Sequence, residues 1–490
     1  MPLRTGWVGV LMLLGLLVLS VWLEFSLADA GRLAWLLPGL NRRSTGADAV
    51  LLGGVLLSWL LFALAALQAR RVFRRVPRRA AAGIVLLGSL ILGLAAASAP
   101  PAGSNDSARY AWDGIVQKAG MSPYRYVPLD PTLDPLRPAW LFEPQHRAPQ
   151  PGEPQTGDSS PSASCPAADF PTGAEVQQGL CTAINRSMVP TIYPPVAELY
   201  FLLVRAPLPA SVGFVAFQLA GLLLSLLVTA GLLWQRGVPV ERAAWWGWSP
   251  LVVWEGVNNA HVDLLGAALL LLAVLWLARG RVTASALAFG AAVATKLIPV
   301  LAAVGLLYRK PRRFVLLSLA TFTVAYLPYL LLSGTAILGY LPGYLSEEGY
   351  DAGHPTARFA LLSLMFPQQT AVLIGGAIVV LAGIWAWRRV DPAHPWNTQV
   401  TYLAVVLLVV SPSYPWYGLL VLPFVLLSGR WEYLAVPVAL NVLYFVPRFA
   451  DALPWSRLVL ALTAVFLLAM ALLRRRSPAL SVELGALHTG

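Results

Sequence analysis

The sequence predicts an all-α polytopic membrane protein, and two observations carry that prediction. Of 490 residues, 58% are hydrophobic and only 12% are charged, against about 25% charged in a soluble globular chain. Apolar runs of roughly 20 residues, long enough to span a bilayer core, recur along nearly the whole length. A third observation gives direction. The basic residues fall in short clusters between the runs: "RRVFRRVPRR" (70–79), "RKPRR" (309–313), "RR" (388–389) and "RRR" (474–476). Such clusters mark cytoplasmic loops. The formal net charge of +12 therefore does not point to nucleic acid, which would need the cations gathered on one folded face.

The first run, "VGVLMLLGLLVLSVWLEFSLA", is too long for a signal-peptide core and has no small-residue cleavage pattern after it. It reads as a retained span. Further spans are expected at 49–68, 81–100, 212–234, 243–257, 262–278, 282–295, 297–308, 314–333, 369–387, 398–411, 416–428, 432–446 and 456–473. Several are too short to cross alone without thin or buried surroundings, so the expected count is 11–14. The organisation is N-terminal helices over 1–100, a long outer loop over 101–211, a second bundle over 212–476 with an outer loop at 334–368, and a cytoplasmic tail over 477–490. The setting is the inner (plasma) membrane, with lipid all round.

The long loop is uneven. Residues 106–143 are rich in Tyr, Trp, Arg and Pro, which suits a packed surface. Residues 144–173 are Pro-, Ser- and Gly-rich and cannot bury enough apolar surface to fold alone, so they read as a mobile insertion. Order is expected again at "INRSMVPTIYPPVAELYFLLV", whose apolar end reads as a short interfacial helix. The only two cysteines, Cys165 and Cys181, lie in this loop. Outside the cell a bridge is permitted and would contribute about 3 kcal/mol; the alternative is two separate thiols.

Five polar constellations interrupt the apolar pattern, and the topology puts all of them on the outer face. They are "DSARYAWDG" (106–114), "NRSMVPTIYPP" (185–195), "VWEGVNNAHVD" (253–263), "ATKLIP" (294–299) and "SPSYPWYG" (411–418). Charged groups near spans are costly and usually functional. Plainer readings exist for each. Lys296 can snorkel to headgroups. His261 and Asp263 can start a helix, and two ligands are too few to argue a metal. The stretch holding Tyr414 can be a proline break in an aromatic belt. Asp113–Gly114 is a turn signal. Asp106 would sit at a helix N-terminus, which favours a carboxylate, with Arg109 on the same face. A carboxylate beside a cation at a membrane surface is suited to proton abstraction next to a phosphate.

"DSARYAWDGIVQKAGMSPYRYVP", followed by "NRSMVPTIYPPVAELYF", resembles the polyprenyl-phosphate-dependent GT-C glycosyltransferases. The nearest kinds are family 87 and the bacterial lipoglycan α-mannosyltransferases. "NNAHVDLLGAALLLLAVL" and "ATKLIPVL" look like later membrane motifs of the same group. The resemblance implies a GT-C-like bundle with an extracytoplasmic site, and it carries the role of catalytic base to Asp106. Many members place that aspartate after the first span, whereas here it follows the third.

The resemblance further implies a sugar donor, mannose-like or pentose, on a polyprenyl phosphate, and a glycan or lipid-linked acceptor. The donor suits the outer face, where no nucleotide sugar is available, and the chain has no Gly-rich phosphate cradle. Asp106 would take the acceptor proton, inverting the anomeric centre. Arg109, Lys296 and His261 would hold the donor phosphate. Trp112, Tyr124, Tyr193 and Tyr414 offer rings to sugar faces, and Asp113, Asn259 and Asp263 complete the substrate contacts. No cofactor is demanded, though a divalent metal is compatible. The competing class is a transporter or flippase for a lipid-linked or anionic solute, since broken helices and intramembrane polar groups occur there too.

Overall fold

A computed structural model of the protein describes residues 2–29, 32, 45–144, 175–177, 180–235, 237–347, 358–448 and 450–476. Most of the expected insertion over 144–173, and the tail over 477–490, lie outside the described residues.

Among the described residues, seven helices are long and apolar enough to cross a membrane: Val8–Leu27, Asp48–Phe73, Arg78–Ala96, Val215–Trp234, Pro311–Leu338, Gln368–Arg388 and Ala452–Arg476. Five shorter apolar helices join them: Asp263–Ala278, Val282–Thr295, Trp396–Val410, Pro415–Ser428 and Trp431–Phe445. The chain is a multi-pass helical membrane protein. The long helices show Leu331, Leu373 and Val465 to the surroundings, as a lipid-facing surface requires.

Two expected spans are not ordinary helices. Residues 243–257 divide into a helix, Val240–Gly247, and a wide π turn, Leu251–Asn258. Residues 297–308 form a 3-10 segment, Ile298–Leu306. In each case a proline (Pro250, Pro299) removes a backbone donor at the break. Isolated π turns are frequent at functional sites.

The bundle has two chemically different ends. Asp263 opens one helix, the next ends at Thr295, and Lys296 bonds back to Asp263. Helix Arg78–Ala96 runs from the basic cluster up to Asn258, whose amide donates to Ala96 O. Trp396–Val410 climbs to the Tyr414 bend, and Ala435–Phe445 rises to Tyr444, which bonds Gly103 O. These segments put all five polar constellations at one end. The basic clusters lie at the other, where Arg78 caps Leu233 O and Arg474 reaches Glu432.

Over the polar end sits a second, smaller core built around helix Asp106–Lys118. Trp112, Ile115 and Val116 pack there with Leu129, Leu133 and Phe142. A three-stranded antiparallel sheet closes it, in the order 142–144, 180–182, 175–177, with Phe142 and Glu175 both opposite Thr182. Strands this short have no periodicity to read in the sequence. Cys181 is buried and disulfide-bonded, while Cys165 lies outside the described residues.

The turn expected at Asp113–Gly114 does not form, and the helix continues to Lys118. Gly114 serves a close crossing instead. A Cβ there would lie 2.6 Å from both Phe201 O and Arg205 Cγ on helix Pro195–Arg205. The crossing is tied by buried polar groups. Arg109 Nε bonds both oxygens of Asp113 at 3.0 and 3.1 Å. Glu198 accepts from Thr191 Oγ1 and Gln117 Nε2, each at 2.7 Å. Burial, and after it the charge of Asp113, pushes Glu198 well above the usual carboxylate range, so Glu198 is the proton-bearing partner.

Two stability predictions follow from this crossing. Gly114→Ala should force the helices apart and cost about 1–3 kcal/mol, read as earlier loss of monodisperse protein on heating. Glu198→Ala should cost a similar amount, about 1–3 kcal/mol, by stranding Thr191 and Gln117. Glu198→Gln, which imitates the protonated acid, should be clearly milder in the same melt.

Candidate active site

The polar end encloses a cavity of about 610 Å³. Asp106 reaches it from the first turn of its helix, where the helix dipole favours a carboxylate. Ser104 Oγ accepts from the Asp106 amide at 3.2 Å and fixes the helix start. Asn185 Nδ2 lies 3.4 Å from Asp106 Oδ1, and the Tyr193 hydroxyl 3.4 Å from Oδ2. Behind it, Tyr110 stacks on Phe201 with ring centres 4.4 Å apart.

The π turn delivers His261. Ala260 takes φ +55°, a left-handed conformation that costs an ordinary L residue roughly 1–2 kcal/mol. It folds the chain back so that His261 N bonds Glu255 O at 2.9 Å. The imidazole is then clamped between two carboxylates. Nδ1 is 3.5 Å from Asp106 Oδ2, and Nε2 is 3.4 Å from Glu255 Oε2. Neither nitrogen is in line for a hydrogen bond among the described residues, so both contacts are long and leave room to tighten. Trp416 stacks on the ring at 3.9 Å, and Asn259 Nδ2 holds Glu255 at 3.0 Å.

Burial alone would raise the Asp106 pKa. The contact with His261 and its charge, then the charge of Lys296 and the Asn185 amide, outweigh burial and hold it below its ordinary value of 3.8. Asp106 is therefore ionised and able to accept a proton at neutral pH.

Two cations frame it. Arg109 lines the cavity one turn along the helix, 5% exposed. Asp113 takes its Nε, Val189 O takes Nη1, and Nη2 has no hydrogen-bond partner among the described residues. Lys296 Nζ bonds Asp263 Oδ2 at 2.6 Å and lies 5.2 Å over the Tyr417 ring. It follows the end of its helix in an extended conformation, φ −154°, and so points into the cavity and does not snorkel.

The structure gathers Asp106, Arg109, Lys296, Tyr193 and Tyr414 on the cavity wall, with His261 and Asp263 directly behind. Four expected substrate contacts, Trp112, Tyr124, Asn259 and Asp113, are corrected. Trp112 is 1% exposed and packs edge-on against Phe142. Tyr124 is buried, its hydroxyl spent on Tyr193 O at 2.6 Å. Asn259 braces the backbone, accepting from Gly103 N at 2.9 Å while donating to Glu255. Asp113 serves Arg109 and not the cavity, and His261 faces carboxylates where a phosphate contact was expected. Glu255, Arg186 and Arg358 were not picked out as site residues. Glu255 stands in the quoted polar run, but only the back-fold at Ala260 brings it to His261. Among the described residues, no three His, Cys, Asp or Glu side chains are grouped to hold a metal ion.

No curated protein and no solved structure matches the chain. Residues 191–412 match the model of glycosyltransferase family 87. The matched stretch carries Tyr193, Glu255, His261, Asp263 and Lys296, and begins after the Asp106 helix. Over that stretch, which holds the π turn, His261 and Lys296, the chain is similar to the glycosyltransferases of family 87, and its apolar helices make it a multi-pass membrane protein.

Proposed function

We propose that this protein moves a sugar from a polyprenyl-phosphate donor to a glycan or lipid-linked acceptor outside the cytoplasm, inverting the anomeric carbon. One observation carries the reading. Among the described residues, the one carboxylate on the cavity wall is Asp106, kept ionised, and the other charged lining groups are cations. Ile298, Val300 and Leu301 make one wall apolar, and Val300 is half-exposed beyond it, which suits a prenyl tail entering from the membrane.

Asp106 takes the proton from the acceptor hydroxyl as its oxygen attacks the anomeric carbon. The bond from that carbon to the phosphate oxygen breaks on the opposite side, and polyprenyl phosphate leaves. Its growing charge falls between Arg109 Nη2 and Lys296, which are held in place beforehand. His261 keeps Asp106 ionised and oriented, and Glu255 balances His261. Tyr193 and Tyr414 offer faces to the sugars. Lys296 and Asp263 stand at helix termini beside the base, at the same end of the bundle, which supports transfer over transport.

The orientation rests on the basic clusters at the far end. A single Asp134→Cys, in a background with Cys165 and Cys181 replaced by Ser, should react with an impermeant maleimide from outside intact cells. Labelling only after the cytoplasmic side is opened would reverse the orientation.

The chemistry is tested with purified protein, radiolabelled polyprenyl-phosphate sugars and lipid extract as acceptor. Asp106→Asn should slow turnover by about 10²–10⁴-fold and leave donor affinity nearly unchanged. Near-normal turnover would remove Asp106 from its role. The pH profile supplies the second reading. Asp106 is active when deprotonated, and its pKa lies below 3.8, so no acid limb from it should appear between about pH 5 and 8. His261→Gln removes the main opposition to burial, and the acid limb of kcat/KM should then move up into the measurable range.

A further inference from the structure

Two uncharged amides stand on the cavity wall beside Asp106, those of Asn105 and Asn185, and the fold does not consume either of them fully. Asn105 is the N-cap of the Asp106 helix. Its carbonyl accepts the first helical bond, from Ala108 N at 2.9 Å. An N-cap asparagine ordinarily turns its side-chain oxygen back onto a free amide of the first turn. Here the side chain makes no capping bond, and Ser104 Oγ takes the Asp106 amide instead. The Asn105 oxygen goes to Asn185 Nδ2 at 3.1 Å, across 80 positions of chain.

Asn185 is held from both sides. Ile184 before it is fully buried in the same small core as Trp112. Arg186 after it takes φ +54° and pairs with Glu347. Such backbone persists in a non-glycine residue only where the surroundings enforce it. The chain turns there, with Val189 N on Arg186 O at 3.2 Å, and leaves the Asn185 amide on the cavity wall.

Hydrogen-bond chemistry then fixes which atom faces which. An ionised carboxylate only accepts, so Asn185 presents Nδ2 to Asp106 Oδ1, at 3.4 Å. The same Nδ2 serves Asn105, which must therefore offer its oxygen. Asn185 Oδ1, an acceptor, and Asn105 Nδ2, a donor, are left without hydrogen bonds among the described residues. A hydroxyl donates and accepts through one oxygen. One hydroxyl adjacent to the hydroxyl that Asp106 deprotonates would satisfy both amides. A sugar ring supplies hydroxyls on adjacent carbons. An isolated alcohol such as a prenol does not, and would leave both amides unmet.

We infer that Asn105 and Asn185 form an acceptor subsite that reads the hydroxyl next to the one attacked, so that the acceptor is a carbohydrate with two neighbouring free hydroxyls. This rests on the reading of Asp106 as the base, which sets the acceptor oxygen against that carboxylate.

The test compares acceptors, using the purified protein and the radiolabelled donors. The acceptors are octyl mannoside, galactoside, glucoside and arabinofuranoside, the monodeoxy analogues of the best of these, and n-octanol. The best glycoside should outperform n-octanol. One analogue lacking a hydroxyl next to the new linkage should lose about tenfold in kcat/KM. Asn105→Ala and Asn185→Ala should each bring the ratio of full to deoxy acceptor close to one, with donor KM within about twofold of the parent. A merely structural role would lower both acceptors together and leave the ratio as it was. Because the Asn105 side chain caps nothing, Asn105→Ala should melt with the parent, so this variant stands if Asn185→Ala fails to fold. The subsite is refuted if no glycoside outperforms n-octanol, if no neighbouring hydroxyl matters, or if the ratio survives the substitutions. If the protein transfers no sugar from any polyprenyl-phosphate donor, the donor reading fails by itself. Equilibrium binding of the corresponding methyl glycosides then decides the subsite. Binding that weakens both in Asn105→Ala and for one deoxy analogue keeps it; binding that is absent or indifferent to Asn105 removes it.

Discussion

A carboxylate largely withdrawn from water keeps its charge only if something nearby makes that charge cheaper than a proton. In this protein the something is His261, and much of the polar end is arranged to hold that ring against Asp106. Burial raises the pKa of a carboxyl by removing hydration. The opposing contact with His261 is 3.5 Å long, so a small displacement of the ring would let burial win. The ring is fixed on three sides. Trp416 covers one face, Glu255 stands at the far nitrogen, and the Ala260 back-fold sets the approach of the chain. Asn258 and Asn259 then bind the 102–103 segment that leads into the Asp106 helix. The two carboxylates and the imidazole are therefore positioned by one continuous set of hydrogen bonds that runs through the Asn258 and Asn259 side chains.

That arrangement explains where the chain tolerates strain. Among the described residues, five non-glycine residues take positive φ: Arg186, Ala260, Lys310, Phe359 and Ser411. Four of them sit in or beside segments that present side chains to the cavity or to Asp106; Lys310 sits at the basic end. Each such residue costs of order 1–3 kcal/mol, and the cost is met by packing elsewhere in the bundle. Glycine appears where elements must nearly touch. At Gly221 a Cβ would lie 2.2 Å from Gly256 O, inside the π turn itself. The helix facing that turn approaches as closely as backbone allows.

What was legible in the sequence follows from this division. Long apolar runs declare themselves by length, so the long spans are readable. Short runs such as 297–308 are apolar enough to be read as spans, yet Pro299 and close packing turn them into 3-10 backbone. The polar constellations were visible because charge is rare in this chain, and Asp106 stood out by the cation three residues on and by the family resemblance of its stretch. The roles of aromatic residues were not legible. Trp112, Tyr124 and Tyr193 are alike in the sequence, but only Tyr193 reaches the cavity. Which face of a helix is covered depends on the crossing at Gly114, and that contact spans nearly ninety positions of chain. Asp113–Gly114 shows the same limit. A turn dipeptide was overridden because the small residue was needed for a helix crossing.

The cations at the site share one design. Three lining cations are paired with a carboxylate that does not line the cavity: Arg109 with Asp113, Lys296 with Asp263, and Arg186 with Glu347. A cation buried without a partner would be severely destabilising, so the pairs make the buried cations tolerable. The pairing is asymmetric in space, and the positive member faces the cavity. A ligand anion therefore meets cations first, at short range and in poor solvent, while the counter-charges act from farther away. Under the proposed chemistry the asymmetry is directional in time as well. A phosphodiester gains charge as it leaves, so attraction to Arg109 and Lys296 grows along the reaction and exceeds that in the bound donor. Interactions that strengthen toward the transition state are the ones that raise turnover. The same arrangement resists release of the product phosphate, so leaving groups held this way are expected to exit along the apolar wall of Ile298, Val300 and Leu301, where the prenyl tail returns to the membrane.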